Sequence, residues 1–299
     1  MASVATRALS VWLRVLMKPR VATAERARAR MARPKGDPEP PASLRRRHLV
    51  TVRTVEGFPC YTVALRSVTA PAKALVYLHG GAYVSEIVRA DWRFISRLAD
   101  AGCQAEIPIY GLAPQHTYRD AFPAITAVHR ALLDRFDPHA VFWAGDSAGG
   151  GLALAVTQTL PTAGLAPPAR LILLSPWLDI TMSNPGIAQI APRDPWLSPA
   201  GLIECRRAWA GGDDPRDPRL SPINGPLDGL PPLDLFTGTA EIFRPDVRLL
   251  AQRATDAGIP VRLTEADGAF HVYPLAPVPE ARTAIDSIVH AVAEPAPTR

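Results

Sequence analysis

The sequence predicts an α/β architecture: a mostly parallel central sheet flanked by helices on both faces. Two observations carry this expectation. From Arg47 onward, short segments rich in β-formers alternate with helix-length ones, the pattern of strands joined by crossover helices. The 299 residues, 47% hydrophobic and 20% charged, also supply enough apolar surface for one large core and exclude a disordered chain. Pro is abundant, 32 residues or about twice the usual ~5%, which points to many chain reversals and long ordered loops.

Residues 1–45 read as a basic arm. Residues 1–50 hold 12 Lys+Arg against 3 Asp+Glu, a net of +9, whereas the rest hold 21 against 25, a net of −4. The basic character therefore belongs to the arm. Leu9, Val11, Trp12, Leu13, Val15, Leu16 and Met17 recur among Arg7, Arg14 and Lys18, which predicts an amphipathic helix. Its apolar face is expected to dock on its own domain with the cations outward or at its edges; weak peripheral contact with anionic lipid, or fraying or an oligomer contact, is the alternative. The longest uncharged run there, Ala8–Leu13, is too short for a secretory core or a membrane span, so a cytoplasmic protein is expected. Pro34, Pro38, Pro40 and Pro41 end the arm.

The body follows in order. His48–Val55 and Cys60–Ser67 read as an antiparallel pair turning at Gly57, and Ala74–Leu78 as a buried strand. Cys103–Ile109, Val141–Ala144, Leu171–Leu174, Leu233–Phe236 and Val261–Thr264 complete the strands. Trp92–Ala101, Ala121–Phe136, Ala148–Leu160, Asp246–Gly258 and Pro279–Ala293 are the helices between and after them. Between Leu174 and Leu233 the alternation lapses into Pro-rich sequence with one helical piece, Pro199–Ala210, too long for a structureless connection. The expected organisation is core 46–184, a small insertion 185–225, and core again over 226–299.

Gly145-Asp146-Ser147-Ala148-Gly149 fits G-x-S-x-G and lies between a predicted strand and a predicted helix. A serine on such a turn stands exposed at the carboxyl edge of the sheet, in front of free helix N–H groups, so Ser147 is the candidate nucleophile. A hydroxyl needs a base. His271, in the loop after the last predicted strand, reaches the same edge, and serine-first, histidine-last is the chain order of an α/β hydrolase. The orienting acid should follow an intervening strand. Glu241 does so, with Asp246 as the alternative, and Arg244 could partner either. His79-Gly80-Gly81-Ala82 follows the strand Ala74–Leu78; Gly80, Gly81 and Ala148 are the candidate oxyanion donors, and His79 a brace for that loop. Tyr83, Trp177, Trp196 and Phe243 are candidate pocket residues.

These pieces together resemble the hormone-sensitive-lipase-like α/β hydrolases, the bacterial family IV esterases. The resemblance runs from about His48 to Pro277 and includes Tyr110-Gly111-Leu112-Ala113-Pro114-Gln115-His116, Ser175-Pro176-Trp177-Leu178-Asp179, Asp194-Pro195-Trp196-Leu197-Ser198 and Ser221-Pro222-Ile223-Asn224-Gly225. It implies a serine carboxylesterase in which the arm is a helical cap, with dimerisation as a family habit. Three departures stand out: Ala82 where the family has a third glycine, Glu241 where it has Asp, and Gly111 and Gln115 in place of Arg and Glu. None removes an essential chemical group.

The expected activity is hydrolysis of short- to medium-chain carboxylic esters through an acyl-enzyme on Ser147, with a small ester as substrate, a homodimer as a further possibility, and no cofactor or metal. A lactonase, amidase or acyltransferase is the alternative chemistry, and a ligand receptor on the same scaffold the non-enzymatic one. Cys60, Cys103 and Cys205 are dispersed, with no C-x-x-C spacing, so neither a zinc site nor a disulfide framework is indicated, and no nucleic-acid-binding motif occurs.

Overall fold

The structure, a computed structural model, describes residues 1–293. Eight strands form one sheet: β1 (His48–Val55), β2 (Phe58–Leu65), β3 (Lys73–Leu78), β4 (Cys103–Pro108), β5 (Val141–Asp146), β6 (Arg170–Leu174), β7 (Leu233–Gly238) and β8 (Val261–Ala266). Their spatial order is β1-β2-β4-β3-β5-β6-β7-β8; β2 runs antiparallel to both its neighbours and every other pair is parallel. The β1–β2 hairpin turns on Glu56 and Gly57, both at positive φ (48° and 84°), the two-residue turn whose twist matches antiparallel strands.

The helices are α1 (Val4–Trp12), α2 (Ala24–Met31), α3 (Ala42–Arg47), α4 (Arg89–Asp100), α5 (Tyr118–Leu133), α6 (Ser147–Thr159), α7 (Pro185–Ile190), α8 (Pro199–Ala210), α9 (Arg244–Asp256) and α10 (Pro279–Ala293). Alternate residues of each central strand serve opposite faces. Leu75, Tyr77, Phe142 and Ile172 pack with α4 and α10, whereas Val76, Leu78, Trp143 and Leu173 pack with α5, α6 and α9. Coverage on both faces is why these strands read as unbroken apolar runs. Helix α5 starts at a reciprocal cap: Thr117 accepts from the helix while Asp120 accepts from the Thr117 amide at 2.8 Å.

The arm departs from the expected single docked helix. After α1 the chain widens through Leu13–Met17 and tightens over Lys18–Arg20. Leu13 is buried, but Val11, Trp12, Val15 and Leu16 stay exposed, so much of the apolar stripe is not docked on this chain. Arg14 and Lys18 lie at the edge of the arm and donate to the carbonyls of Arg193, Ala191 and Asp194 of the insertion, Arg14 from the surface and Lys18 half-buried. A carbonyl left over at an irregular turn is as good a partner as water, which periodicity cannot anticipate. The start of α1 is tied to α10, where Ser3 and Thr6 donate to the Glu280 carboxylate at 2.6–3.0 Å. Helix α2 falls in the Arg-rich stretch and buries only Ala27, too small a signal for a periodic reading.

Arm and insertion pack on each other. The Gly201 Cα in α8 faces the Val21 carbonyl so closely that a Cβ would lie 2.1 Å from it, and Arg28 pairs with Glu204 at 2.8 Å. Both segments overlie the end of the sheet at which Ser147 sits, since they line one cavity with it. Among the described residues no helix is long and apolar enough to cross a membrane.

Candidate active site

Strand β5 ends at Asp146 and α6 begins at Ser147, with no connecting residue. So sharp a reversal puts Ser147 at φ 51°, and the flanking glycines are required by space. A Cβ on Gly145 would lie 2.6 Å from the Gly149 carbonyl, and one on Gly149 would lie 2.1 Å from that of Leu78. The Ser147 side chain is thereby aimed away from the helix and into the cavity.

His271 follows β8 in a turn and presents Nε2 at 2.9 Å from Ser147 Oγ. Its Nδ1 lies 2.6 Å from Glu241 Oε2. A carboxylate only accepts, so Nδ1 carries the proton and Nε2 is the acceptor facing the serine hydroxyl. Glu241 is fully buried, and its other oxygen accepts from Ser175 Oγ at 2.7 Å, from the Gly238 amide at 3.0 Å and from Thr237 Oγ1. Four donors thus compensate the buried charge and fix its direction. Ser175 Oγ also accepts from the Val272 amide at 2.9 Å, tying the histidine turn to the same carboxylate.

Asp246 lies elsewhere, in the first turn of α9, where its Oδ1 accepts from Asn184 at 2.7 Å and burial raises its pKa to about 6. Arg244 partners neither acid: it pairs with Glu265 at 2.6 Å. Ser175, Thr237 and Asp194 were not singled out by the sequence. Asp194 is buried and caps three amides, those of Trp196, Leu197 and Ile242, at 2.7–2.9 Å, joining the insertion to the Glu241 turn. The Ser175-Pro176-Trp177 and Asp194-Pro195-Trp196 segments were legible as segments, but which residue in each would matter was not.

The candidate anion site differs from expectation at one position. The Gly80 amide donates to Asp146 Oδ1 at 2.7 Å and is consumed there. Asp146 itself is buried beside Asp91, with Tyr77 bonding both carboxyls, and burial followed by the Asp91 charge raises its pKa. Gly81 and Ala82, at φ 109° and 55°, have amides with no hydrogen-bond partner among the described residues, as does the first-turn amide of Ala148. The free donors are therefore Gly81, Ala82 and Ala148. The missing third glycine leaves the backbone in the left-handed region regardless, held by bonds from Val84 and Ser85 back to the Gly81 carbonyl. His79 braces the loop: its Nδ1 meets the Gly80 carbonyl at 2.7 Å and its ring stacks on Tyr110 at 4.5 Å. Burial lowers its pKa to about 4, so it stays neutral at pH 7.

The cavity holds about 480 Å³ and is lined by Ser147, His271, Gly80, Gly81, Trp196 and residues of the arm and α8. Of the four aromatic pocket candidates, only Trp196 lines it. Tyr83, Trp177 and Phe243 lie behind it as a buried stack, with Tyr83 also face to face with Trp209 at 4.3 Å. Large flat rings gain more from mutual stacking in a core than from an open cleft. Phe243 and Trp196 meet the His271 ring edge-on at 5.1 and 5.7 Å, which limits its rotation.

Comparison with known proteins places these features in context. A family model described as the alpha/beta hydrolase fold matches residues 75–275. An acetyl-hydrolase of Streptomyces hygroscopicus is 36% identical over 76% of this chain and 77% of its own. An esterase of Acinetobacter venetianus is 31% identical over 75% and 76%. The crystal structure of an esterase from the bacterial hormone-sensitive lipase family superposes with a TM-score of 0.83 at 28% identity, covering 99% of this chain and 100% of the other.

Proposed function

We propose that this chain, which belongs to the hormone-sensitive-lipase-like family of α/β hydrolases and is a carboxylic-ester hydrolase, works through an acyl-enzyme on Ser147. The observation that carries the reading is the hydrogen-bonded chain from Ser147 Oγ to His271 to Glu241 beside three unpartnered amides.

Ser147 Oγ attacks the ester carbonyl while His271 Nε2 takes its proton. The carbonyl oxygen becomes an oxyanion held by the amides of Gly81, Ala82 and Ala148. Glu241 keeps Nδ1 protonated and stabilises the imidazolium. The tetrahedral intermediate expels the alkoxide, which leaves as the alcohol with the proton from Nε2. Water then attacks the acyl-serine, His271 again accepting a proton, and the carboxylic acid departs with Ser147 regenerated. Every step uses side chains already in contact.

Residues 1–45 and 185–225 serve as the cap in this reading, since both line the cavity with Ser147. A cavity of about 480 Å³ suits short- to medium-chain esters and is too small to enclose a triacylglycerol. The test is turnover of p-nitrophenyl esters from acetate to decanoate, with labelling of Ser147 by a fluorophosphonate. Activity that peaks at acetate to hexanoate and vanishes in Ser147→Ala supports the reading. Full activity in that variant overturns it.

A further inference from the structure

Three acidic groups outside the triad line the cavity, and of these Asp91 and Asp146 are each held by two donors whereas Glu86 is held by none. Glu86 follows the anion loop and lines the same cavity as Ser147. Its Oε2 is buried and has no hydrogen-bond partner, and neither oxygen joins an ion pair among the described residues. The neighbouring cation acts on it through space without bonding it: Lys35 Nζ donates to the carbonyls of Val84 and Ala113, at 2.9 and 2.8 Å. Other buried acids near the site are treated differently. Glu241 and Asp194 each hold three or more donors, and Asp146 holds two. Burial raises the Glu86 pKa to about 7, against the pull of Lys35 and with Asp37 adding to the rise. A buried acceptor oxygen left without a partner is unfavourable, and a bound donor relieves it.

The lining is mixed in kind. Leu9, Leu13, Phe270 and Leu275 contribute apolar surface. Arg30 of α2 lines it too, but it is engaged with Oγ of Ser85, next to Glu86 in the chain, at 2.8 Å. An alkyl chain lying against Glu86 would cover the carboxyl and leave it unsatisfied. A hydroxyl or ammonium there would complete it.

We propose that Glu86 is a specificity-determining residue that accepts a hydrogen bond from the substrate, so that the favoured substrates are small esters bearing a hydroxyl or ammonium on one of their two arms. This rests on the esterase reading above. Sites that bond a substrate hydroxyl discriminate strongly against the analogue lacking it, because the partner is then stranded.

Two isosteric pairs test it, one for each side of the ester bond. They are the p-nitrophenyl esters of 3-hydroxybutyrate and 3-methylbutyrate, and 4-hydroxybutyl acetate against pentyl acetate. The hydroxylated member of at least one pair is expected to lead by about tenfold or more in kcat/KM. Glu86→Leu should remove or invert that ratio, and Glu86→Gln, which keeps shape and an acceptor, should retain part of it. Because the readout is a ratio within one protein, a partly folded variant does not confound it. Ratios near one in both wild-type pairs overturn the proposal and leave the esterase reading standing, as does a high ratio that survives Glu86→Leu. Failure to cleave any ester or to react with a fluorophosphonate overturns the esterase reading, and this one with it.

Discussion

Replacing Glu241 by Gln tests the role of the carboxylate at constant volume. The buried Oε1 accepts from Ser175 Oγ at 2.7 Å, from the Gly238 amide at 3.0 Å and from Thr237 Oγ1, while Oε2 faces His271 at 2.6 Å. An amide offers one acceptor end and one donor end. Turning its NH₂ toward Ser175, Thr237 and Gly238 would set donor against donor at the Gly238 amide, which cannot accept, and would force both hydroxyls to give up their donation to this group, at about 1–3 kcal/mol for each stranded group. The amide oxygen therefore stays with those three, and the NH₂ confronts His271 Nδ1. The imidazole must then carry its proton on Nε2, where it donates to Ser147 instead of accepting from it. A wrong tautomer in a serine triad costs ~10⁴-fold in kcat, about 5.4 kcal/mol. The assay is kcat and KM on p-nitrophenyl butyrate, normalised to active sites, with thermal unfolding as a control. We expect a loss of 10³–10⁴-fold at nearly unchanged KM, and an Asp246→Asn variant within about threefold of wild type. A Glu241→Gln enzyme within tenfold of wild type, or an equal loss in Asp246→Asn, refutes the reasoning.

Other outcomes follow from the same geometry. Ser175→Ala strands the Val272 amide and removes one donor from Glu241, so urea unfolding should show a loss of about 1–3 kcal/mol and kcat should fall about tenfold. In Gly80→Ala the new Cβ would lie 2.2 Å from Asp146 Oδ2 and 3.1 Å from its carbonyl. The turn that aims the Gly81 and Ala82 amides must shift, and kcat is expected to drop by about 10² with Ser147 still present to label. Burial tends to raise the Glu280 pKa, but hydrogen bonds from Thr6 and Ser3 outweigh it and hold the group at about 2. A depressed carboxyl pKa stabilises above the unfolded value of 4.5, and that stability is lost as pH falls toward 2. Limited proteolysis should therefore release the N-terminal helix progressively between about pH 4.5 and pH 2, and Glu280→Gln should release it at neutral pH.

Much of this molecule is legible in its sequence. Strands such as Leu171–Leu174 are apolar on both faces because helices cover both, and that burial is written directly into composition. Ser147 could be placed at the sheet edge because a strand, two glycines and a helix leave the backbone one compact way to turn. Period and turn chemistry are local, so local sequence carries them.

Partnership is not local, and there the tertiary structure decided. Whether the amide of Gly80 stays free depends on where Asp146, 66 residues away, points its carboxyl. That Ser175 and Thr237 hold Glu241, and that Tyr83, Trp177 and Phe243 stack behind the cavity while Trp196 lines it, depends on how β6, β7 and the insertion come together. The apolar residues of the arm were visible, but not which of them would find a partner. A hydrogen bond or a packed ring belongs to two side chains at once, and the sequence alone names only one of them.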